Sequence, residues 1–270
     1  MPELPEVETV ARSLARQVTG DRIESVWLGA KSEPLKSSAK VIAWALENAR
    51  MAGVRRVGKQ IVFDLVSPAG ERRQWIVHLG MTGQLLLSSP DVVPKKHTHA
   101  ILKLASGREL RFVDPRRFGR LSIAHEGDFR GTGLEPLEID IPSFVALFRG
   151  RKTPIKSALL NQKLLGGVGN IYADEALFRA GIRPRRRAAT LAREQLKTLH
   201  SSLKKVLREA IRLGGSSISD YVDADGKEGY FQFRHRVYGR AGEPCFVCHS
   251  PIKRVLIAGR SSHYCPKCQA

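Results

Sequence analysis

The chain lacks any apolar run of the ~18 residues that a membrane-spanning helix requires, and no secretory signal precedes its first helical stretch. These absences point to a cytoplasmic protein. Internal repeats and low-complexity tracts are also missing, which excludes a solenoid. No cysteine occurs before Cys245, so no disulfide framework staples the body of the chain. Acidic residues are scarce: Asp and Glu total 26 against 45 Lys and Arg, a net charge of +19 over 270 residues. Such a surface attracts polyanions and releases counterions from nucleic acid. An anionic membrane is the other large polyanion, but it calls for a basic amphipathic helix or a lipid signal, and neither is evident. The cluster Asp223-Ala224-Asp225-Gly226-Lys227 lacks the alternating ligands and terminal Glu of an EF-hand, so calcium is not expected.

At this length two domains are more natural than one. Met1-Pro2-Glu3-Leu4-Pro5-Glu6 leads into a run in which Val7, Val10, Ala11, Leu14 and Val18 share one helical face. Prolines and carboxylates suit the first turn of a helix, so an ordinary capped start accounts for them. A second reading is chemical. Removal of Met1, common before a small residue, leaves Pro2 with a free secondary amine. α-Amino groups titrate at roughly pH 7.7–8.0, so a fraction is nucleophilic near neutrality. A secondary amine condenses with an aldehyde directly to an iminium, and a neighbouring carboxylate can supply or remove protons.

Short alternating runs at 23–28, 60–66, 74–79, 100–104, 109–113 and 121–124 predict strands, separated by turn residues such as those at 67–70. Many short strands at this spacing predict an antiparallel sandwich or barrel. From about residue 142 the pattern turns helical, with helices expected at 143–148, 155–163, 171–180 and 190–213. Leu191, Leu199, Leu203, Val206, Leu207, Ala210 and Ile211 form the apolar stripe of the last. Between two of these helices, Gly166-Gly167-Val168-Gly169-Asn170 can present backbone N–H groups to a phosphate, or serve only as a turn. A long polar loop starts at Gly214; loops of this length are functional or mobile.

The four cysteines stand as Cys245-x2-Cys248 and Cys265-x2-Cys268. Two such knuckles at this separation place four thiolates tetrahedrally on one ion, so one structural Zn2+ is expected. Paired disulfides are the rival, and they require an oxidising compartment that nothing here indicates.

Seven landmarks then occur in one order: PELPEVETV at the start, HLGMTG at 78–83, DPRRFGR at 114–120, GGVGNIYADEALFRAGI at 166–182, DGKEGYF at 225–231, VYGRAGEPC at 237–245, and the four-cysteine ribbon. In these motifs, and along its whole length, the sequence resembles the bacterial formamidopyrimidine-DNA glycosylases. The resemblance implies an α+β multidomain fold: a β-sandwich with an N-terminal helix over 1–131, a helix–two-turn–helix domain with a lesion-covering loop over 132–235, and a zinc-ribbon hairpin over 236–270. It implies a monomeric base-excision-repair enzyme of the bacterial cytoplasm, acting at the nucleoid on damaged double-stranded DNA without an obligate protein partner. Such enzymes flip out oxidised purines, 8-oxoguanine and formamidopyrimidines, excise them, and cleave the strand by β,δ-elimination.

Residue by residue, the resemblance makes Pro2 the nucleophile and Glu3 the acid that assists sugar opening. Glu6 becomes a supporting carboxylate, Lys59 an aid to β-elimination and Arg260 the group credited with δ-elimination. Met81, Arg116 and Phe118 match residues that fill the void left by the flipped base, although taken alone Met81 and Phe118 read more readily as core and Arg116 as plain basic surface. His97, Arg151 and Asn170 match phosphate contacts, with Lys156 and Tyr238 as weaker matches. Cys245, Cys248, Cys265 and Cys268 are the metal ligands. One departure stands out: Ser219 occupies a loop position where some relatives carry lysine. Two other functions remain open at this point, an endonuclease VIII-type glycosylase for oxidised pyrimidines and a non-catalytic damaged-DNA-binding protein. The motif set at Pro2, Met81, Arg116 and Phe118 favours the purine enzyme, and the presence of Pro2, Glu3, Lys59 and Arg260 favours catalysis.

Overall fold

The structure, a computed structural model, describes residues 1–218 and 220–270. Ser219 lies outside the described residues. The chain divides into two compact units, Met1–Gly131 with Gly214–Tyr230, and Thr132–Leu213 with Phe231–Ala270.

The first unit contains α1 (Leu4–Val18), β1 (Ile23–Leu28), α2 (Ala39–Leu46), β2 (Arg50–Val57), β3 (Gln60–Val66), β4 (Arg72–His78), β5 (Gln84–Ser88), β6 (Thr98–Leu104), β7 (Glu109–Val113) and β8 (Arg120–His125). Two four-stranded antiparallel sheets, ordered β1-β6-β7-β5 and β2-β3-β4-β8, share one core. Ile61, Phe63 and Leu65 of the run at 60–66 are buried there, though Val62 between them is buried too, and the Phe63 ring lies 4.7 Å from that of Trp75. Each such side chain removed from water contributes about 1.5–3 kcal/mol. The apolar face of α1, from Val7 through Val10, Ala11 and Leu14 to Val18, closes the same core. Residues 214–230, read from the sequence as part of 132–235, group with this unit. Asp225 accepts from Gln17 at 2.9 Å, and the Leu87 N–H donates to Ala224 O at 2.9 Å, which holds the segment to α1 and β5.

The second unit is the helix–two-turn–helix domain with its hairpin: α3 (Ile141–Phe148), α4 (Ile155–Leu160), α5 (Asn170–Arg179), α6 (Arg193–Arg212), β9 (Lys253–Ile257) and β10 (Arg260–Tyr264). Asp140 caps α3 by accepting the Ser143 N–H at 2.8 Å. The glycine-rich turn before α5 is laced by Gln162, whose side chain donates to Leu160 O and Val168 O and accepts the Gly167 N–H. Leu199, Leu203, Val206, Leu207 and Ala210 of α6 are buried, as their spacing predicts, whereas Ile211 of the same stripe is only partly buried; Leu196, outside the predicted stripe, is buried as well. No described helix is long and apolar enough to cross a membrane.

Candidate active site and metal centre

Glu6 fixes the start of α1. Its Oε2 accepts the Glu3 N–H at 2.8 Å, one half of a capping box, while Glu3 O accepts the Val7 N–H at 3.1 Å. Pro2 and Glu3 are buried, whereas Met1 is exposed. A helix start held this firmly keeps a proline and a carboxylate in one pose, as a nucleophile with an adjacent proton carrier requires.

Lys59 occupies the two-residue turn closed by the Val57–Gln60 pair of β2 and β3. Arg56 ties that turn to α1: its Nε donates to Glu8 Oε2 at 2.6 Å and its guanidinium to Gly58 O at 3.1 Å. Opposite Gln60 on β4 stands His78. Burial first, then the charges of Arg120 and Lys59, hold its ring below the ordinary imidazole pKa, so it is neutral at pH 7. Its Nδ1 faces the Gly80 N–H at 3.1 Å and accepts from it, which leaves the proton on Nε2. His78 was absent from the expected residues; its place at the head of HLGMTG was the available signal.

Asp114, fully buried, builds a second surface. It accepts from Thr82 Oγ1 at 2.6 Å, the Gly119 N–H at 2.7 Å and the Arg116 N–H at 3.3 Å. Gly80 presses on the facing loop so closely that a Cβ would lie 2.5 Å from the Phe118 carbonyl carbon. The result is an exposed group: Met81 and Phe118 are 39% and 52% accessible, and the Arg116 guanidinium stands 4.9 Å from the Phe118 ring. His97 joins it, since His97 O accepts the Asp114 N–H at 3.0 Å. Large apolar side chains held in solvent beside an arginine have the composition of a wedge for unstacked bases.

In the second unit, Asn170 is the first residue of α5, and its Nδ2 lies 3.4 Å from Ser261 Oγ. Arg260 opens β10, exposed, and pairs with Ile257 across Ala258 and Gly259, whose φ values are 46° and 73°. Two positive φ angles in a two-residue loop make a type I′ turn. The structure therefore brings Asn170 and the Arg260 hairpin together, while Arg151 lies on the separate loop after α3, where its carbonyl accepts the Ala189 N–H. Lys156, expected as a phosphate contact, is instead fully buried. Its Nζ lies 2.7 Å from Asp174 Oδ1 and donates to Ser261 O at 2.6 Å. Asp174 Oδ2 in turn accepts the His263 N–H at 2.8 Å, so the pair grips β10 on both sides of Ser262. The Tyr238 ring packs 5.1 Å from His263. Glu175 accepts the N–H groups of Arg236, Val237 and Tyr238 at 2.9–3.0 Å, and burial raises its pKa.

The sulfurs of Cys245, Cys248, Cys265 and Cys268 all lie within 4.8 Å of one another. Tetrahedral zinc, with Zn–S of about 2.3 Å, sets sulfurs about 3.8 Å apart; the observed separations of 3.9 Å and 3.3 Å bracket that value. Burial and the neighbouring thiols push the Cys268 thiol well above its ordinary range. Four thiolates share this space stably only around a cation, and one structural Zn2+ fits.

Sandwich, paired helices and tetrathiolate hairpin, in that order, define a modular protein class that family comparison identifies part by part. Residues 1–121 match the formamidopyrimidine-DNA glycosylase N-terminal domain, 132–222 its H2TH domain, and 242–270 the zinc finger found in FPG and IleRS. The formamidopyrimidine-DNA glycosylase of Solibacter usitatus is 47% identical, with 100% of this chain and 99% of that protein covered. Among solved structures, MutM (Fpg) of Thermus thermophilus superposes with a TM-score of 0.87 at 42% identity, covering 99% and 98% of the two chains. The Lactococcus lactis Fpg in complex with abasic-site DNA gives 0.91 at 34% identity, covering 99% of each. The chain belongs to the formamidopyrimidine-DNA glycosylase family.

Proposed function

We propose that this protein is a bifunctional DNA glycosylase and abasic-site lyase that removes oxidised purines, 8-oxoguanine and formamidopyrimidines, from duplex DNA. The observation that carries the reading is the start of α1, where Glu6 holds a buried Pro2-Glu3 pair in a single pose. After removal of Met1, the Pro2 amine attacks the sugar C1′ and the base departs with a proton. Glu3 protonates the ring oxygen as the sugar opens, leaving an iminium between Pro2 nitrogen and C1′. The iminium acidifies the C2′ proton; its removal expels the 3′ phosphate, and a second proton loss, from C4′, expels the 5′ phosphate. Hydrolysis returns the amine. Lys59 and Arg260 supply positive charge to the departing phosphates.

Met81, Arg116 and Phe118 occupy the gap left by the flipped nucleotide, and His97, Arg151 and Asn170 bind the backbone. Zinc, when bound, supplies no chemistry: it stiffens the hairpin that carries Arg260. The protein acts as a monomer at the bacterial nucleoid.

Borohydride reduction on an 8-oxoguanine:cytosine duplex tests substrate and mechanism together. Met1-processed protein is expected to leave a covalent adduct, and Pro2→Gly to lose most of it while still binding DNA. Absence of an adduct from the wild type would reduce the protein to a damage binder. Faster excision of thymine glycol would reassign it to the oxidised-pyrimidine enzymes.

A further inference from the structure

The Gly214–Tyr230 segment is bonded to the same carboxylate that fixes the head of α1. Glu6, 2% exposed, accepts the Glu3 N–H through Oε2 at 2.8 Å and the Ser216 N–H through Oε1 at 2.8 Å. The Tyr221 hydroxyl closes the arrangement from the other side, 3.0 Å from Gly214 O and 3.3 Å from Glu6 O. Between them, Gly215 has φ +83°, and a Cβ on it would lie 2.8 Å from Glu6 Oε1 and 2.9 Å from Glu6 Cγ. No side chain fits there without moving Glu6. The far part of the segment is anchored as well, through Asp225 to Ser13 and Gln17 of α1.

We infer that Gly215 and Tyr221 are positioning residues, which act through Glu6 to set the pose of the Pro2 amine and Glu3. A segment whose only work is to touch the extruded base affects base release and nothing after it. A segment bonded to the mount of the nucleophile affects every reaction at C1′, including those of a sugar that has already lost its base. The inference rests on the reading of Pro2 as the nucleophile.

Abasic-site DNA separates the two roles, because it offers no base to touch. The experiment uses full-length, zinc-loaded, Met1-processed wild type, Gly215→Ala and Tyr221→Phe. It measures single-turnover borohydride trapping at saturating enzyme on abasic and 8-oxoguanine duplexes, with Kd determined for each. Small misplacement of reacting groups costs up to about 100-fold in rate. Gly215→Ala is therefore expected to slow trapping about tenfold or more on both substrates, and Tyr221→Phe by a smaller factor on both, with Kd for abasic DNA unchanged. Wild-type trapping rates on the abasic duplex, with slowing confined to 8-oxoguanine, overturn the inference. If Gly215→Ala does not fold, Tyr221→Phe decides alone, since it removes one hydroxyl and keeps the ring. Failure of the wild type to trap at all refutes the reading of Pro2; normal wild-type trapping with unaffected variants refutes only the positioning role.

Discussion

Replacing Lys156 by methionine removes the cation from a pair in which neither side chain meets solvent. Asp174 would keep the His263 N–H at 2.8 Å and the His263 ring, whose Nδ1 lies 3.3 Å from Oδ2, but its Oδ1 would lose the ammonium at 2.7 Å. The Ser261 carbonyl would lose its 2.6 Å donor as well. Breaking a buried ion pair from one side costs about 3–5 kcal/mol. For a chain of this size 1 kcal/mol corresponds to about 2–4 °C, so the melting transition should fall by about 6–20 °C. Calorimetry at saturating zinc measures it, alongside the double variant Lys156→Met/Asp174→Leu. With both charges gone, the double variant should recover part of the loss, because buried pairs add little over well-packed hydrophobic groups, while the His263 N–H is left without its acceptor. A single variant within about 1 kcal/mol of wild type would refute the reasoning. So would a double variant no more stable than the single one.

His235, packed among the rings of Phe231 and Tyr238, has its pKa pushed down from 6.5 to about 4, by burial first and then by the charge of His263. Between those values the unfolded chain binds a proton that the folded one refuses, so stability falls as pH drops from 6.5 toward 4, by about 3 kcal/mol in full. Urea midpoints across that range should show a shallower pH slope in His235→Phe than in wild type. Cys248→Ser should release zinc, measured by a metal-binding dye, and weaken DNA binding through loss of the hairpin; a zinc-free variant with wild-type Kd would show the ribbon dispensable. Phe118→Ala, at a half-exposed position, should change folding stability by less than about 1 kcal/mol yet weaken lesion-duplex binding by about 1–3 kcal/mol, the range of a lost base–aromatic stack.

Legibility followed periodicity. The face of α1, the stripe of α6 and six strands were readable because their partners lie at fixed spacings. The strand β2 was not expected: it carries Arg50, Arg55 and Arg56 with Gly53 between, and as an edge strand it needs no apolar alternation. In β5 the consecutive Leu85, Leu86 and Leu87 carry no period at all. The helix α2 was missed for a similar reason, being apolar nearly all round with Val41 and Trp44 left exposed. Motif resemblance located most candidate site residues, but it could not distinguish a buried charge from a solvated one. Lys156 read as a phosphate contact because its partners, Asp174 and the backbone of β10, are remote in sequence. One signal was present: Asp174 and Glu175 sit among Ile171, Tyr172, Ala173, Ala176 and Leu177, a helix apolar on every side, and such a helix is buried with whatever acids it carries. The bond from Glu6 to Ser216 had no local sign.

Under the role proposed for Arg260, the type I′ turn at Ala258 and Gly259 has a consequence for the entropy of each encounter with DNA. A flexible loop carrying Arg260 would have to freeze on binding, at about 1–2 kcal/mol for every backbone residue ordered. A turn of two residues, braced by the grip on Ser261 and His263, has no such slack. Only the arginine side chain remains to be immobilised, at about 0.5–1.5 kcal/mol. The ordering of the backbone is completed once, when the unit folds, and is not repeated at each lesion.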